Sequence, residues 1–214
     1  MNAVNYQKEL DKLLQEIDKK EERPRLFLHS CCAPCSSYVL LYLAPHFKLT
    51  VFYYNPNIAP EEEFRKRAEE QKRLIETLNK EFAFGILFVE GAYEPKRFRE
   101  LSMGFEQEPE GGERCFRCYE LRLREAALMA KEDGYDYFTT TLSISPLKNA
   151  AKLNEIGRRI GEEIGVAHLP SDFKKREGYR QSVALSQKYG LYRQNYCGCV
   201  YSKRDSEKRQ EHMR

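Results

Sequence analysis

The 214-residue sequence has no tryptophan and only 12 glycines and nine prolines, too few for a low-complexity or disordered chain. It also lacks a long apolar run, since the longest, at residues 38–44, falls far short of the roughly 20 residues that span a bilayer. Residues 1–25 are densely charged and contain no apolar core of a signal peptide. These absences exclude a membrane-spanning protein and predict a cytoplasmic one. Its 41% hydrophobic residues suffice for one globular core.

A strong net charge is also missing, because the formal value is only +3. The charge is uneven, however: residues 174–214 hold 11 Lys and Arg against four Asp and Glu. A basic region of this kind is typical of a surface that binds a polyanion, and a solvated helical tail is the alternative. Aromatic and basic side chains alternate there, which favours stacking on unpaired bases beside RNA phosphates. We therefore predict RNA contacts for Lys174, Lys175, Tyr179 and Arg193.

Short apolar segments alternate with amphipathic helical segments along the chain. This alternation predicts right-handed crossover units, and hence a doubly wound α/β fold with a mostly parallel sheet and a basic helical C-terminal region. The layout is Rossmann-like and similar to that of PP-loop (HUP) proteins. We expect an N-terminal helical extension (1–24), one α/β catalytic domain (25–200) and a basic tail (201–214). The predicted strands are residues 25–29, 48–54, 86–89, 136–140 and 166–169, and the predicted helices between them are residues 36–44, 61–80, 115–131 and 150–164.

Polar segments follow three of the predicted strands. In open parallel sheets, ligands bind outside the carboxyl ends of the strands. That rule brings together the turn at residues 30–37, the loop at residues 143–149 and Asp172. The loop's hydroxyls and Lys148 suit a phosphate or a polar base, although a solvated loop is equally consistent. Ser36 or Ser37 is expected to cap the helix after the turn, and His29 is either a ligand, an acid or a hydrogen-bonded core residue.

The seven cysteines fall into three clusters, which in a reducing compartment favours metal ligands or redox groups over structural disulfides. Cys115 and Cys118 form a CxxC pair at the start of a predicted helix, whose N-terminus favours thiolates. Taken alone, this pair fits a redox dithiol or half a zinc site equally well. Adjacent cysteines suit an iron–sulfur cluster better than one tetrahedral zinc, because each can bind a different iron. The clusters are Cys31, Cys32 and Cys35; Cys115 and Cys118; and Cys197 and Cys199.

One glycine separates Cys197 from Cys199. Gly198 permits the tight bend that brings two such thiols within reach of each other. A disulfide in so small a ring would be strained and easily reduced, which suits a switch that delivers two electrons. Service as two further metal ligands is the alternative.

Five motifs in this order resemble the cobalamin-independent epoxyqueuosine reductases, the QueH family. The resemblance covers about residues 25–200, and five ordered motifs make chance agreement very rare. The motifs are HSCCAPC (29–35), Cys115 and Cys118 followed by Tyr119, TTLSISPLKN (140–149), SDFKK with GY (171–175 and 178–179), and LYRQNYCGC (191–199).

The resemblance implies an oxidoreductase that reduces epoxyqueuosine to queuosine at the wobble position of tRNA, the last step of queuosine biosynthesis. It also implies an electron donor, which the motifs do not identify, a 4Fe–4S cluster and an additional iron ion. Carried over by motif, the cluster ligands would be Cys31, Cys32, Cys115 and Cys118, and Cys197 and Cys199 would form a redox-active disulfide. Cys35 is then left as a ligand of the additional iron, and Asp172 as a catalytic residue at the end of a strand.

Two other functions compete with this interpretation. An iron–sulfur-dependent tRNA sulfurtransferase would carry a Ser-Gly-Gly-x-Asp-Ser pyrophosphate loop after the first strand, whereas residues 30–36 contain no glycine. A zinc-stabilised RNA-binding module is the other, and iron with acid-labile sulfide in the purified protein would exclude it.

Overall fold

A five-stranded parallel sheet forms the centre of the computed structural model, which describes residues 4–211. The strand order is β3-β2-β1-β4-β5, and every neighbouring pair is parallel. The predicted doubly wound α/β fold is therefore confirmed. The strands are β1 (Arg25–His29), β2 (Lys48–Tyr53), β3 (Leu87–Glu90), β4 (Tyr137–Thr140) and β5 (Ala167–His168).

Helices pack on both faces of the sheet, because its strands are apolar on both sides. In β1, Leu26 and Leu28 join the core under the first three helices, whereas Phe27 points to the opposite core. The helices are α1 (Tyr6–Ile17), α2 (Ala33–Leu43), α3 (Glu61–Phe82), α4 (Pro95–Ser102), α5 (Glu113–Glu132), α6 (Ala150–Ile164), α7 (Gly178–Lys188) and α8 (Val200–Glu211), with a 3-10 turn at Thr141–Ile144.

The predicted apolar face of α1 is confirmed, since Leu10, Leu14 and Ile17 are buried in the core and Leu13 is partly buried against it. Residues 1–3 of the predicted extension and residues 212–214 of the predicted tail lie outside the described residues. None of the helices between residues 4 and 211 combines the length and the hydrophobicity that crossing a bilayer would require.

The start of α2 differs from the prediction by three residues. The helix begins at Ala33, with Pro34 in its first turn, where a missing N–H costs no hydrogen bond. Ser36 and Ser37 therefore lie inside the helix, and their hydroxyls donate to the carbonyls of Cys32 and Pro34. The prediction that either serine caps α2 is wrong. Cys32 occupies the N-cap position instead.

Candidate metal centre and substrate cavity

The larger of two adjacent cavities beside the cysteine clusters lies at the carboxyl ends of β1 and β4, where the fold predicts a site. Its volume is about 380 Å³. The turn after β1, the loop after β4 and the segment between α7 and α8 all contribute to its wall. Residues predicted for metal binding, redox chemistry and RNA contact meet there, namely Cys31, Cys32, Cys35, Lys148, Tyr179, Arg193 and Cys197.

Three thiols at the start of α2 form a group able to hold a metal ion. The sulfurs of Cys31, Cys32 and Cys35 lie within 4.8 Å of one another, and those of Cys31 and Cys32 are 3.8 Å apart. Hydrogen bonds from the other two thiols, with the charge of Arg122, hold the pKa of Cys31 well below its usual value against the effect of burial. This group therefore concentrates negative charge on Cys31, as a metal ligand requires.

A second, smaller cavity adjoins the first and is lined by the other cysteines, Cys115, Cys118 and Cys199. Cys197 lines both cavities, so all seven cysteines border this pair of spaces. Burial raises the pKa of Cys118 to about 12 and raises that of Cys115 as well. These thiols therefore stay protonated near pH 7, and binding of a metal would release their protons. The ligand set Cys31, Cys32, Cys115 and Cys118 stays a prediction.

A buried cation, Arg122, links the two groups of thiols. Its side chain donates to His29 Nε2 (3.2 Å), to Asn55 Oδ1 and to Cys118 Sγ (3.9 Å). Among residues 4–211, no carboxylate pairs with this guanidinium, which is only 1% exposed. A buried charge needs an opposite charge nearby, and its field acts on both Cys31 and Cys118. The donor set and this cation together fit a thiolate-bound, negatively charged metal centre.

His29 is a hydrogen-bonded core residue. Its Nδ1 lies 2.8 Å from Thr140 Oγ1, and its Nε2 lies 3.0 Å from the Tyr54 carbonyl as well as beside Arg122. Burial and the Arg122 charge lower the pKa of His29 to about 3. The imidazole is therefore neutral near pH 7 and connects β1 to β4, to the segment after β2 and to α5.

The predicted RNA contact Lys148 is buried in the wall of both cavities. Its ammonium forms an ion pair of 2.8 Å with Glu110 Oε1. Burial acts to lower the pKa of Lys148, but Cys197 and Glu110 outweigh it and hold this pKa well above its usual value. Elsewhere in the predicted loop, Ser143 bonds to Ser171 and Asn149 caps α6, so these two side chains have structural roles.

The other predicted residues of the C-terminal region divide into two groups. Tyr179 and Arg193 stand together at the larger cavity, with the guanidinium 5.9 Å from the ring centre. Asp172 instead forms an ion pair of 2.8 Å with Lys174, and neither residue lines either of these two cavities. Lys175 is exposed. Catalysis by Asp172 and RNA contacts by Lys174 and Lys175 stay predictions.

The Cys197–Cys199 segment is fixed against the start of α3. Gly198 has a φ of +123°, which confirms the predicted need for glycine in this bend. A Cβ at this position would lie 2.8 Å from Ile58 Cγ1 and 3.0 Å from Arg67 Nη1. Arg67 also donates to the Cys197 carbonyl at 3.0 Å. Both cysteines are free thiols in this structure, and their redox role stays a prediction.

The sequence interpretation missed three charged residues of the site: Arg122, Glu110 and Arg67, which lines the larger cavity. Arg122 stands four residues after Cys118 on α5, a spacing that places both on one helix face and could have revealed it. Glu110 had no such signal, because it lies in a loop 38 residues from its partner Lys148.

Comparisons with known proteins agree with the motifs. A family model described as "Epoxyqueuosine reductase QueH" matches residues 26–205. A Staphylococcus epidermidis protein of that name is 41% identical over 201 residues, 93% of this chain and 84% of the relative. A Haemophilus influenzae protein of the same name is 36% identical over 225 residues, which are 98% of this chain and 89% of the relative. A Thermotoga maritima protein of that name is 34% identical over 190 residues, 87% of this chain and 93% of the relative.

The buried contacts of Arg122 generate a stability prediction. We expect Arg122→Lys to lower the free energy of unfolding by about 1–3 kcal/mol, because one ammonium cannot reach His29, Asn55 and Cys118 together. Urea denaturation of the purified protein measures the change. Arg124→Lys is the control, since Arg124 forms partly exposed ion pairs on the same helix and its replacement should cost under about 0.5 kcal/mol. Equal losses in the two variants would contradict this role of Arg122.

Proposed function

The chain belongs to the QueH family of epoxyqueuosine reductases, and we propose that it reduces epoxyqueuosine to queuosine, at the wobble position of tRNA, inside the larger cavity. The observation that carries this proposal is the convergence of all seven cysteines on two adjacent cavities. Removal of an epoxide oxygen requires electrons, protons and a binding space for the modified base, and these cavities hold candidates for each. A tRNA substrate also supports the cytoplasmic location predicted from the sequence.

We propose that Cys31, Cys32, Cys115 and Cys118 would hold a 4Fe–4S cluster, with Cys35 available to an additional iron ion. Four thiols from two separate segments border the adjacent cavities, and cysteine thiolates are the usual ligands of such clusters. The buried charge of Arg122 favours an anionic centre there. When bound, these groups supply one-electron transfer and a Lewis acid.

The cavity wall supports binding of the modified base. Leu142, Ile144 and Leu147 give it an apolar side that suits the carbon ring bearing the epoxide and excludes water. Tyr179, which is 39% exposed, offers a ring on which a base can stack, and Arg193 offers a cation for a phosphate. The substrate would thus enter past Tyr179 with its anchoring phosphate outside.

We propose that the Cys197 and Cys199 thiols supply the electron pair and become a disulfide, which an external electron donor then reduces. Cys197 lines both cavities, so it borders the substrate space and the cysteines of α5 alike. The positive φ of Gly198 provides the bend that such a pair needs.

The reaction itself is the first test. The protein, reduced anaerobically, should convert epoxyqueuosine in tRNA to queuosine with neither cobalamin nor ATP, seen by mass spectrometry of digested tRNA as the loss of one oxygen. Cys197→Ser and Cys199→Ser should keep iron and tRNA binding but lose multiple turnover. An intact wild-type protein that leaves the epoxide untouched, or that adds sulfur to tRNA when given ATP, would exclude this function.

Metal analysis tests the ligand assignment. Cys115→Ala and Cys118→Ala should lower both iron and acid-labile sulfide, because each removes a proposed cluster ligand. Cys35→Ala should lower iron while sulfide stays constant, and Cys197→Ser, the matched control in the same pair of cavities, should change neither. Full iron content in Cys115→Ala would overturn the assignment, and iron loss in Cys197→Ser would favour metal ligation by that thiol.

Salt dependence tests the tRNA contacts. Each lost phosphate contact should reduce the slope of log affinity against log salt by roughly 0.7–0.9, since fewer counterions are released on binding. We expect this reduction for Arg193→Gln and for Lys175→Gln. Arg180→Gln is the control, because Arg180 is exposed but paired with Glu177 at 3.2 Å. Slopes identical to wild type in both test variants would show that neither cation contacts phosphate.

A further inference from the structure

The Lys148–Glu110 ion pair lies in the wall shared by the two cavities and has no part in the electron route. The two side chains are only 5% and 8% exposed, and their charged atoms are 2.8 Å apart. Both residues line both cavities together with Cys197. Buried ion pairs contribute little net stability, because desolvation offsets their attraction. Their position beside a reactive thiol therefore points to chemistry.

Lys148 shares its carboxylate partner with a second cation. Glu110 faces two cations, since Arg209 of α8 lies 3.7 Å from its second carboxylate oxygen. One carboxylate between two cations gives the trio a net charge of +1. Of the three N–H groups of the ammonium, one donates to Glu110, and no other acceptor within residues 4–211 contacts it. Lys148 thus has donors left for an oxygen in the cavity.

Lys148 also differs chemically from the other cations at the larger cavity. These are Arg67 and Arg193, and a guanidinium does not give up a proton in a protein. An ammonium can do so to a basic oxygen such as an alkoxide formed when a C–O bond breaks. Among the positive side chains of this wall, Lys148 alone can both attract the developing negative charge and neutralise it.

We propose that Lys148 is the catalytic residue that hydrogen-bonds the epoxide oxygen of the substrate and protonates it as the first C–O bond breaks, with Glu110 as its positioning residue. This inference rests on the proposed function. Recognition of an RNA phosphate does not require a buried ammonium, whereas Lys148 is only 7% exposed and shares the cavity wall with apolar side chains.

The step balances with the proposed dithiol. Conversion of the epoxide to an alkene breaks two C–O bonds and consumes two electrons and two protons, and the oxygen leaves as water. Formation of the Cys197–Cys199 disulfide releases two electrons and two protons. Lys148 passes one proton to the oxygen and regains one from Cys197. It passes the second as the other C–O bond breaks and then takes up the proton that Cys199 releases as the disulfide forms. The products are the alkene, water and the disulfide.

Single-turnover reduction of tRNA containing epoxyqueuosine by the prereduced holoenzyme tests the proposal. Lys148→Met should react about 100-fold or more slowly, the usual contribution of a general acid, while iron, sulfide and the affinity for tRNA carrying queuosine stay within about twofold of wild type. Lys148→Arg should stay slow although it keeps the charge. Lys152→Met is the matched control, since Lys152 forms an exposed ion pair with Glu155 on α6 and its loss should change nothing.

Glu110→Gln separates positioning from binding. It should lower kcat about tenfold with KM unchanged, because the amide leaves the ammonium present but loosely held. A rise in KM with kcat unchanged would overturn its role as the positioning residue.

A binding measurement tests the hydrogen bond without turnover. In the absence of reductant, the wild type should bind tRNA with epoxyqueuosine about tenfold more tightly than tRNA with queuosine, and Lys148→Met should lose this preference. Should Lys148→Met not fold, because it leaves Glu110 buried without its partner, Lys148→Met with Glu110→Gln replaces it in both assays.

Two results would overturn the proposal: a Lys148→Met rate within about threefold of wild type, or a rate loss matched by an equal loss of iron or of affinity for tRNA carrying queuosine. A wild type that does not reduce the epoxide would instead refute the proposed function, and the binding preference would still decide whether Lys148 contacts the epoxide.

Discussion

The buried guanidinium of Arg122 is the interaction on which the site depends. It joins the end of β1 through His29, the segment after β2 through Asn55, and α5 through Cys118. No carboxylate lies beside it among the described residues, and the groups nearby that could balance its charge include the sulfurs of Cys31 and Cys118. The free energy of folding and the ionisation of the thiols are therefore coupled, because a thiolate or a thiolate-bound metal compensates a cation that would otherwise be costly to bury.

A second buried guanidinium, that of Arg67, fixes the position of the Cys197–Cys199 segment. It pairs with Glu63 on α3 and donates to the Cys197 carbonyl. The close approach of this arginine explains why a side chain at position 198 would not fit. The parallel sheet thus places the first two cysteine clusters through its strand ends and helix starts, whereas a side-chain hydrogen bond brings the third cluster to them.

The parts of the fold that the sequence could predict are those governed by apolar periodicity. Strand β1 and helix α6 have the predicted bounds, since their patterns are regular and their ends are marked by residues such as Asn149 and Gly165. The start of α2 was misplaced because serines are stronger cap signals than a proline in a first turn. The Lys148–Glu110 pair was beyond prediction, because it joins two irregular segments and no periodic spacing relates them.

The net charge of the C-terminal region overstates the number of its cations that are available to RNA. The basic C-terminal region holds an excess of cations, yet many of them pair with acids of other segments, as Arg176 does with Asp11 and Lys188 with Glu81. Such cations attach α7 and its flanking segments to the body of the protein, and they neutralise part of the charge counted from the sequence. The proposed function therefore assigns tRNA recognition chiefly to Tyr179 and Arg193 at the larger cavity and to the modified base that the cavity would admit.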